Sequence, residues 1–183
     1  MSTPLQQQLL QRASRSRVGD TAPSHEELLP LVRAASRVAD HGGLRPWRLI
    51  EIRGDARRKL ARALAKGEKL KDATGDRISG KPFRAPLLIA VVSSRKKSSK
   101  VPGWEQDAVA AGVAHVLTLL LEEQGWGVMW RTGPAIRSKP VRKAHGLGKR
   151  ERLLGWLYVG SAERDPGPAN KPVHPSEHLS VLE

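Results

Sequence analysis

The stretch from Trp104 to Gly133 constrains the fold of this chain more than any other. Only Gly112, His115 and Thr118 interrupt an apolar run from Ala108 to Leu121. A helix that is apolar on nearly all of its sides belongs inside a core and not on a surface. The sequence therefore predicts a long buried central helix, around which the other elements pack.

A short buried strand and a glycine turn are predicted to follow this helix. Gly125 is a natural C-cap, and the sequence GWGVMWRTG then runs to Gly133. A helix that leads to two tryptophans, an arginine and a glycine in one turn indicates either tight packing or one wall of a pocket for a flat cofactor. The residues of this stretch alone leave both interpretations open.

Helices and strands alternate in the rest of the predicted chain. Helices are expected at Leu5 to Leu10, Ser24 to about Ala39, Asp55 to Lys66 and Ser138 to His145, and strands at Trp47 to Ile52, Leu87 to Val92 and Glu151 to Gly160. This order predicts one domain over residues 1–183, either α+β or an α/β sandwich with a central helix. Segment 67–81 is expected to be mobile and lid-like, and the proline-containing tail 162–183 to be extended.

Several classes of protein are excluded or disfavoured by what the sequence lacks. It has no cysteine, which excludes disulfides, thiolate metal sites and thiol nucleophiles. It has no GxxxxGK[ST] or GxGxxG loop, which disfavours the usual nucleotide-binding folds. It also has no HExxH motif of zinc proteases and no GxSxG motif of serine hydrolases. Without a signal peptide pattern or an apolar run of roughly 20 residues, a cytoplasmic protein with no membrane partner is expected.

The excess of basic residues is concentrated in one part of the chain. The formal charge is +14, and 17 basic against 5 acidic residues between Arg45 and Lys100 supply +12 of it. Such a field attracts anions, for example nucleotide phosphates or nucleic acid, although a solvated basic surface is an equally good interpretation. The segment lacks interleaved aromatic side chains on which bases could stack, which disfavours a nucleic-acid-binding protein.

Three groups of residues could hold a ligand. Arg12 and Ser14 follow the first helix and could bind a phosphate, because a guanidinium donates in parallel and stays charged. Arg37 and His41 lie four residues apart at the end of the second helix. The third group is the turn after the central helix. Together they favour a flat, aromatic, anionic ligand.

Five blocks of sequence identify a family. RASRSR, RVADHGGLRPW, KPFRAPLLIAVV, KVPGWEQDAVAAG and QGWGVMWRTG occur in this order between about Leu9 and Gly160. In residue type and spacing they resemble the nitroreductase family, in particular its short YdjA-like branch. The resemblance implies an α+β, nitroreductase-like fold with a four- or five-stranded antiparallel sheet, helices on its faces and a long buried central helix. It also implies a domain-interlocked homodimer with FMN at the subunit interface.

The resemblance further implies an activity and a set of site residues. Hydride would pass from NADPH or NADH to FMN, and electrons from FMN to a nitroaromatic, a quinone or a related small molecule. The surplus of arginine favours NADPH, because a guanidinium could bind its 2′-phosphate. The FMN positions are Arg12, Ala13 and Ser14, then Arg37 and His41 from the partner subunit, and then Trp130, Arg131, Thr132 and Gly133 along the isoalloxazine.

Two further points follow from the same resemblance. The positions that match the nicotinamide nucleotide segment are Leu120, Leu121, Glu122, Glu123, Gln124 and Gly125. Ala13 stands where the family often has a second arginine, and Arg15 or Arg17 is expected to compensate for it. A flavin-binding or sequestering protein of the same fold, without turnover, is the alternative to an enzyme.

The other aromatic and histidine side chains are expected to be structural. Trp104 and Trp126 are predicted to pack, and His115 is predicted to be buried with its hydrogen bonds satisfied. Three more histidines are predicted to lie on the surface, namely His145, His174 and His178.

Overall fold

Five helices and four strands alternate in the computed structural model, which describes residues 2–68, 79–162 and 173–182. The helices are α1 (Pro4–Gln11), α2 (His25–Ala35), α3 (Gly54–Gly67), α4 (Gly103–Glu123) and α5 (Lys139–Ala144). The strands are β1 (Trp47–Ile52), β2 (Leu87–Ser94), β3 (Trp126–Arg131) and β4 (Glu151–Ser161). The predicted order of helices and strands is confirmed.

Helix α2 has the predicted start but not the predicted end. The capping box is present, since Ser24 Oγ accepts a hydrogen bond from the backbone N–H of Glu27 at 3.1 Å. The helix ends at Ala35, before the predicted Ala39. Ser36 donates its hydroxyl to the carbonyl of Arg33 at 2.7 Å, which satisfies a carbonyl of the last turn. Local capping therefore ends this helix before its apolar pattern does.

All strand pairs in the sheet are antiparallel, in the order β1-β2-β4-β3. Successive side chains of a strand point to opposite faces, so each strand contributes to two cores. On one face Leu157 and Val159 of β4 pack with α4. On the other face Trp156 and Tyr158 pack with α3 and α5. Strand β3 lies at an edge of the sheet, and the side chains at its C-terminal end contribute to both faces of the sheet.

Helix α4 is the predicted long central helix, and its buried residues lie on the side that packs against the sheet and α2. Val113 and Leu117 are fully buried against the sheet. His115, predicted to be buried, is exposed, and Trp104, predicted to pack, is 69% exposed. The difference arises because the sheet and α2 cover only part of the helix surface.

His145 is a second correction, because it is buried and not on the surface. Only 7% of it is exposed. Its Nδ1 lies 2.7 Å from the carbonyl oxygen of Val141, and its Nε2 accepts a hydrogen bond from Trp156 Nε1 at 2.9 Å. Burial lowers its pKa, while the bond to Val141 opposes that shift. A neutral histidine with both ring nitrogens satisfied is well suited to a core.

Two predicted segments fall largely outside the described residues. Of the lid-like segment 67–81, residues 69–78 are not described, and of the tail 162–183, residues 163–172 and 183 are not. Residues 173–182 of the tail are exposed and include a short 3-10 turn at Pro175–Glu177. Within the described ranges, no helix combines the length and apolarity that a bilayer crossing requires.

Candidate functional site

A cavity of about 410 Å³ lies between the segment after α1, helix α4 and strand β3. This volume is within the range of about 300–1,000 Å³ that small-molecule sites occupy. Arg12 and Ser14 line it from one side, His115 and Thr118 from α4, and Trp130 from β3. It therefore brings together residues of the first and third predicted groups. We call it the Arg12 cavity.

Backbone contacts hold Arg12 and Ser14 at this place. The chain leaves α1 at Arg12 in an extended conformation and runs beside β3, where the N–H of Arg15 donates to the carbonyl of Val128 at 2.9 Å. Arg12 Nη1 donates to Ser14 Oγ at 3.4 Å, so the guanidinium and the hydroxyl lie together. Gln8 Nε2 donates to the carbonyl of Leu119 at 2.7 Å and ties α1 to α4.

Trp130 lies between α4 and a glycine of the neighbouring strand. Its ring centroid is 5.0 Å from that of His115, with the rings tilted by 58°. A Cβ built on Gly155 would be 2.2 Å from Trp130 Nε1, and Gly155 has φ +149°, so both space and backbone favour glycine there. Trp130 Nε1 is buried without a hydrogen-bond partner among the described residues. This N–H therefore lies against Gly155 and is not exposed to the cavity.

Arg131 points to the opposite face of the sheet, into a second cavity of about 290 Å³. Its guanidinium lies over the ring of Tyr158, 5.3 Å from the centroid, and Nη2 donates to the carbonyl of Ser16 at 3.0 Å. Burial lowers the pKa of Arg131, and the charge of Arg84 lowers it further. Burial raises the pKa of Tyr158. We call this space the Arg131 cavity.

Both cavities meet at the C-terminal end of β3, beside the turn that follows it. Trp130 lines both of them, and Thr132 and Gly133 line the Arg131 cavity. Lys81 and Arg84 also line the Arg131 cavity and add positive charge, which Glu68 partly offsets through its 2.5 Å contact with Lys81. The C-terminal end of β3 thus has the Trp130 indole on one face of the sheet and a cluster of basic side chains on the other.

The segment predicted to contact a nicotinamide nucleotide lines a third cavity, of about 220 Å³, through Glu122 and Gly125. Arg12, Ala13 and Arg15 line it too. Burial raises the pKa of Glu122, while the charges of Arg12 and Arg15 oppose the shift. The remaining residues differ in exposure: Leu121 is fully buried, Leu120 is half-buried, and Glu123 and Gln124 are exposed.

Arg37 and His41 do not join the other predicted residues within one chain. Arg37 lines a separate cavity of about 490 Å³ with Asp40, Arg45 and Trp47. His41 is exposed, and its Nδ1 lies 2.9 Å from Glu105 Oε2. The second predicted group therefore forms its own surface in the single chain.

Part of the basic charge of residues 45–100 is paired within the fold. Arg48 Nε donates to Glu151 Oε1 at 2.6 Å, which lowers the pKa of Glu151 to about 2. Arg95 Nε donates to Asp107 Oδ1 at 2.8 Å, and the guanidinium lowers the pKa of that carboxyl. These cations are committed to internal contacts, which argues against a continuous surface for nucleic acid.

Several residues that line the cavities were not predicted from the sequence. His115 and Thr118 are three residues apart, so they share a face of α4, and as the polar breaks in an apolar run they could have been recognised. Lys81, Arg84 and Tyr158 gave no such signal. They come together only through the pairing of β3 with β4 and the position of the 3-10 turn at Lys81–Phe83.

Known proteins resemble this chain in sequence and in fold. Residues 9–161 match the model of the Nitroreductase family. YdjA of Escherichia coli strain K12, provisionally assigned as an NAD(P)H nitroreductase, is 34% identical over 158 residues, which cover 85% of this chain and 86% of that protein. A nitroreductase-like protein from Bacillus cereus has a TM-score of 0.83 at 23% identity, covering 100% of this chain and 98% of that one.

A third protein extends the structural comparison. NfnB from Sphigopyxis sp. strain HMH, described as an FMN and NADPH-dependent nitroreductase, has a TM-score of 0.75 at 19% identity. The match covers 99% of this chain and 100% of NfnB. The family model spans most of the chain, and the antiparallel sheet with its long helix has the expected fold. This chain belongs to the nitroreductase family.

Proposed function

We propose that this protein is an FMN-dependent oxidoreductase that takes hydride from NADPH or NADH and passes electrons to nitroaromatics, quinones or related small acceptors. The observation that carries the proposal is the Arg12 cavity, in which Arg12, Ser14 and Trp130 meet. The names of two similar proteins support it, since YdjA is provisionally assigned as an NAD(P)H nitroreductase and NfnB is described as FMN and NADPH-dependent.

The lining of the Arg12 cavity fits the two unlike ends of FMN. Arg12 and Ser14 are suitable donors for a phosphate dianion, which forms short charge-assisted hydrogen bonds. Val128 and Trp130 offer apolar and aromatic surface to a flat ring. When bound, FMN would supply the redox chemistry, accepting hydride, gaining negative charge on its pyrimidine side and reducing the acceptor.

We assign stabilisation of that negative charge to Arg131, which requires the flavin ring to extend from the Arg12 cavity past Trp130, the residue that lines both cavities, to the Arg131 cavity. Its guanidinium is partly buried, its Nε has no hydrogen-bond partner among the described residues, and burial lowers its pKa. A cation in this situation gains from an adjacent negative charge, more than it would in water. Lys81 and Arg84, which line the same cavity, strengthen the positive field.

The turn from Arg131 to Gly133 is proposed to donate a backbone N–H to the ligand. Gly133 has φ 169°, an extended conformation that any residue adopts, and a Cβ there would meet nothing within 4 Å. The packing of the described chain therefore does not require glycine at this position. A ligand that lies close to the backbone does require it, because a side chain would fill the space.

Arg37 and His41 are proposed to reach the ligand of a second subunit. In one chain they lie on a surface separate from the Arg12 cavity. Large apolar side chains that remain exposed, among them Leu10 and Trp104, are suitable for burial in a homodimer. The dimer would complete the site by bringing the two surfaces together.

For the nicotinamide nucleotide we propose contacts from the accessible part of the predicted segment. Leu121 is fully buried and can act only through packing. Glu122 and Gly125 face a cavity, and Glu123 and Gln124 face solvent. Carboxylates repel the phosphates of a dinucleotide, so their contacts would be with hydroxyl or amide donors of the nucleotide.

Flavin titration tests the proposal. Wild-type protein should bind FMN and become yellow, and the holoprotein should oxidise NADPH or NADH in the presence of a quinone. Arg12→Ala should weaken FMN binding by roughly tenfold or more, because it removes a charge-assisted hydrogen bond. Arg33→Ala, which changes an exposed arginine of α2, is the matched control. Wild-type protein that takes up no FMN would overturn the proposal. FMN binding without nucleotide oxidation would instead identify a flavin-sequestering protein.

A further inference from the structure

We infer that His115 donates a hydrogen bond to the anionic end of the ligand in the Arg12 cavity and makes the site selective for a phosphorylated flavin. This inference rests on the proposed function, and it gives a specificity role to a residue whose sequence context predicts a structural one. His115 is exposed on α4 and lines the same cavity as Arg12 and Ser14. It is a third donor beside the two predicted ones.

The hydrogen-bonding capacity of the cavity singles out His115 on α4. Thr118 shares its face of the helix, but the Thr118 hydroxyl already donates to the carbonyl of Ala114 at 2.9 Å. The ring nitrogens of His115 form no hydrogen bond within the described part of the chain, where the side chain makes only its ring contact with Trp130. An imidazole N–H is therefore available to a ligand.

The nearby arginines are less well placed to supply this donor. Arg15, expected to compensate for Ala13, lines the neighbouring cavity with Glu122, where its Nη1 is buried. Arg17 is exposed. A phosphate has three strong acceptor oxygens, each of which can accept more than one hydrogen bond, so it can accept a further donor beside Arg12 and Ser14. His115, from a different element, is thus the side chain positioned to replace the missing basic group.

The contact between His115 and Trp130 suggests a competing role that can be separated experimentally. If His115 only held the indole in place, its loss would weaken the binding of any flavin to a similar extent. If it donates to the phosphate, its loss would weaken FMN and leave riboflavin, which has no phosphate, largely unaffected. The ratio of the two affinities therefore distinguishes an anion contact from a packing contact.

Two substitutions separate the hydrogen bond from the ring contact. His115→Phe keeps an aromatic ring beside Trp130 but removes the donor, whereas His115→Gln keeps a donor and removes the ring. His25→Gln is the control, because His25 is an exposed histidine that contacts Glu51 away from the cavity. Dissociation constants of FMN and riboflavin are measured for each full-length protein after removal of flavin. If the phenylalanine variant does not fold, His115→Ala takes its place with the same expectation.

The preference for FMN over riboflavin should fall roughly tenfold or more in His115→Phe, the loss expected for a hydrogen bond to a charged group. It should largely return in His115→Gln and be unchanged in His25→Gln. An unchanged preference in His115→Phe, or an equal loss of both affinities, would overturn the inference while leaving the proposed function intact. Wild-type protein that binds neither flavin would overturn both.

Discussion

Two tryptophans on neighbouring strands are held in place by single residues, in two different ways. Trp156 donates its indole N–H to the buried His145, whose other nitrogen bonds to Val141. Trp130 lies against Gly155, where there is no room for a side chain. The indole of Trp156 is thus held by a hydrogen bond and that of Trp130 by close packing against a glycine. Both side chains line the Arg131 cavity.

The buried His145 predicts a loss of stability in weak acid. Its pKa in the folded protein is lowered by burial, so the unfolded chain takes up a proton at a higher pH than the native chain. Its contribution to stability is therefore complete above the ordinary histidine pKa of about 6.5 and declines as the pH falls below that value. Thermal unfolding midpoints at about pH 7.5 and about pH 5 should differ more for wild type than for His145→Gln. Parallel midpoints in the two proteins would contradict this.

Substitution of Gly155 should disturb Trp130 from the side of the sheet. In Gly155→Ala the new Cβ would lie 2.2 Å from Trp130 Nε1 and 2.7 Å from the carbonyl oxygen of Arg131. Overpacking of this kind should lower the free energy of unfolding of Gly155→Ala by about 1–3 kcal/mol. Because the Trp130 ring must move, the tryptophan fluorescence should also shift. Gly80→Ala is the control, since a Cβ there meets nothing within 4 Å. Equal stability of the two variants in denaturant would contradict the account.

The sequence specified the residue types of the site more reliably than their burial. Arg12, Ser14 and Trp130 were predicted and share a cavity. His145 could not be recognised as buried, because its partner Trp156 lies on a different element and is brought close only by the packing of α5 against the sheet. His115 was misjudged for the opposite reason, since an apolar neighbourhood along a helix does not reveal which side has a covering element.

Among the elements, α4 and β3 do most to shape the site. Helix α4 packs one side against the sheet and presents His115 and Thr118 to the Arg12 cavity. Strand β3 sends Trp130 to one face and Arg131 to the other, as alternation along a strand requires. The sequence predicted both elements and their order but treated Trp130 and Arg131 as a single surface. Because β3 extends through Arg131, the side chains of Trp130 and Arg131 point to opposite faces of the sheet.

The buried side of α4 should dominate its contribution to stability. Leu117 is fully buried between the helix and the sheet, so Leu117→Ala should lower the free energy of unfolding by about 2–5 kcal/mol. Leu29→Ala, at a leucine of α2 that is 54% exposed, should change it by less than about 1 kcal/mol. Urea unfolding followed by circular dichroism measures both. Similar costs for the two substitutions would show that the burial of α4 is misassigned.

At the scale of the whole molecule, the strand order could not be derived from the sequence. Strand β2 pairs with β4, although α4, β3 and α5 lie between them in the chain, and β3 forms an edge of the sheet by pairing with β4. Alternating patterns indicate strands but not their partners, so the resemblance to the family was the source of the antiparallel expectation. The same holds for the proposed dimer, which would account for the separation of Arg37 from Arg12 in one chain.

A mixing experiment tests the proposed shared site. Arg12→Ala and Arg37→Ala should each weaken FMN binding, although the two residues line different cavities of one chain. In a mixed dimer of the two variants, one site would carry both substitutions and the other neither. Refolding the variants together should therefore restore tight binding to a fraction of the sites, measured by FMN titration alongside light scattering for the molecular mass. A monomer, or a mixture that binds no better than the separate variants, would contradict the shared site.

The most direct test of the proposed oxidoreductase is the rate at which each nicotinamide nucleotide reduces the bound flavin. Holoprotein is mixed anaerobically with NADPH or NADH in a stopped-flow spectrometer, and the flavin absorbance is followed through one turnover. We expect at least one nucleotide to bleach the flavin absorbance rapidly, and more slowly in Arg131→Gln. The absorbance should recover when a quinone is added. Bound FMN that neither nucleotide reduces would contradict the proposed oxidoreductase activity.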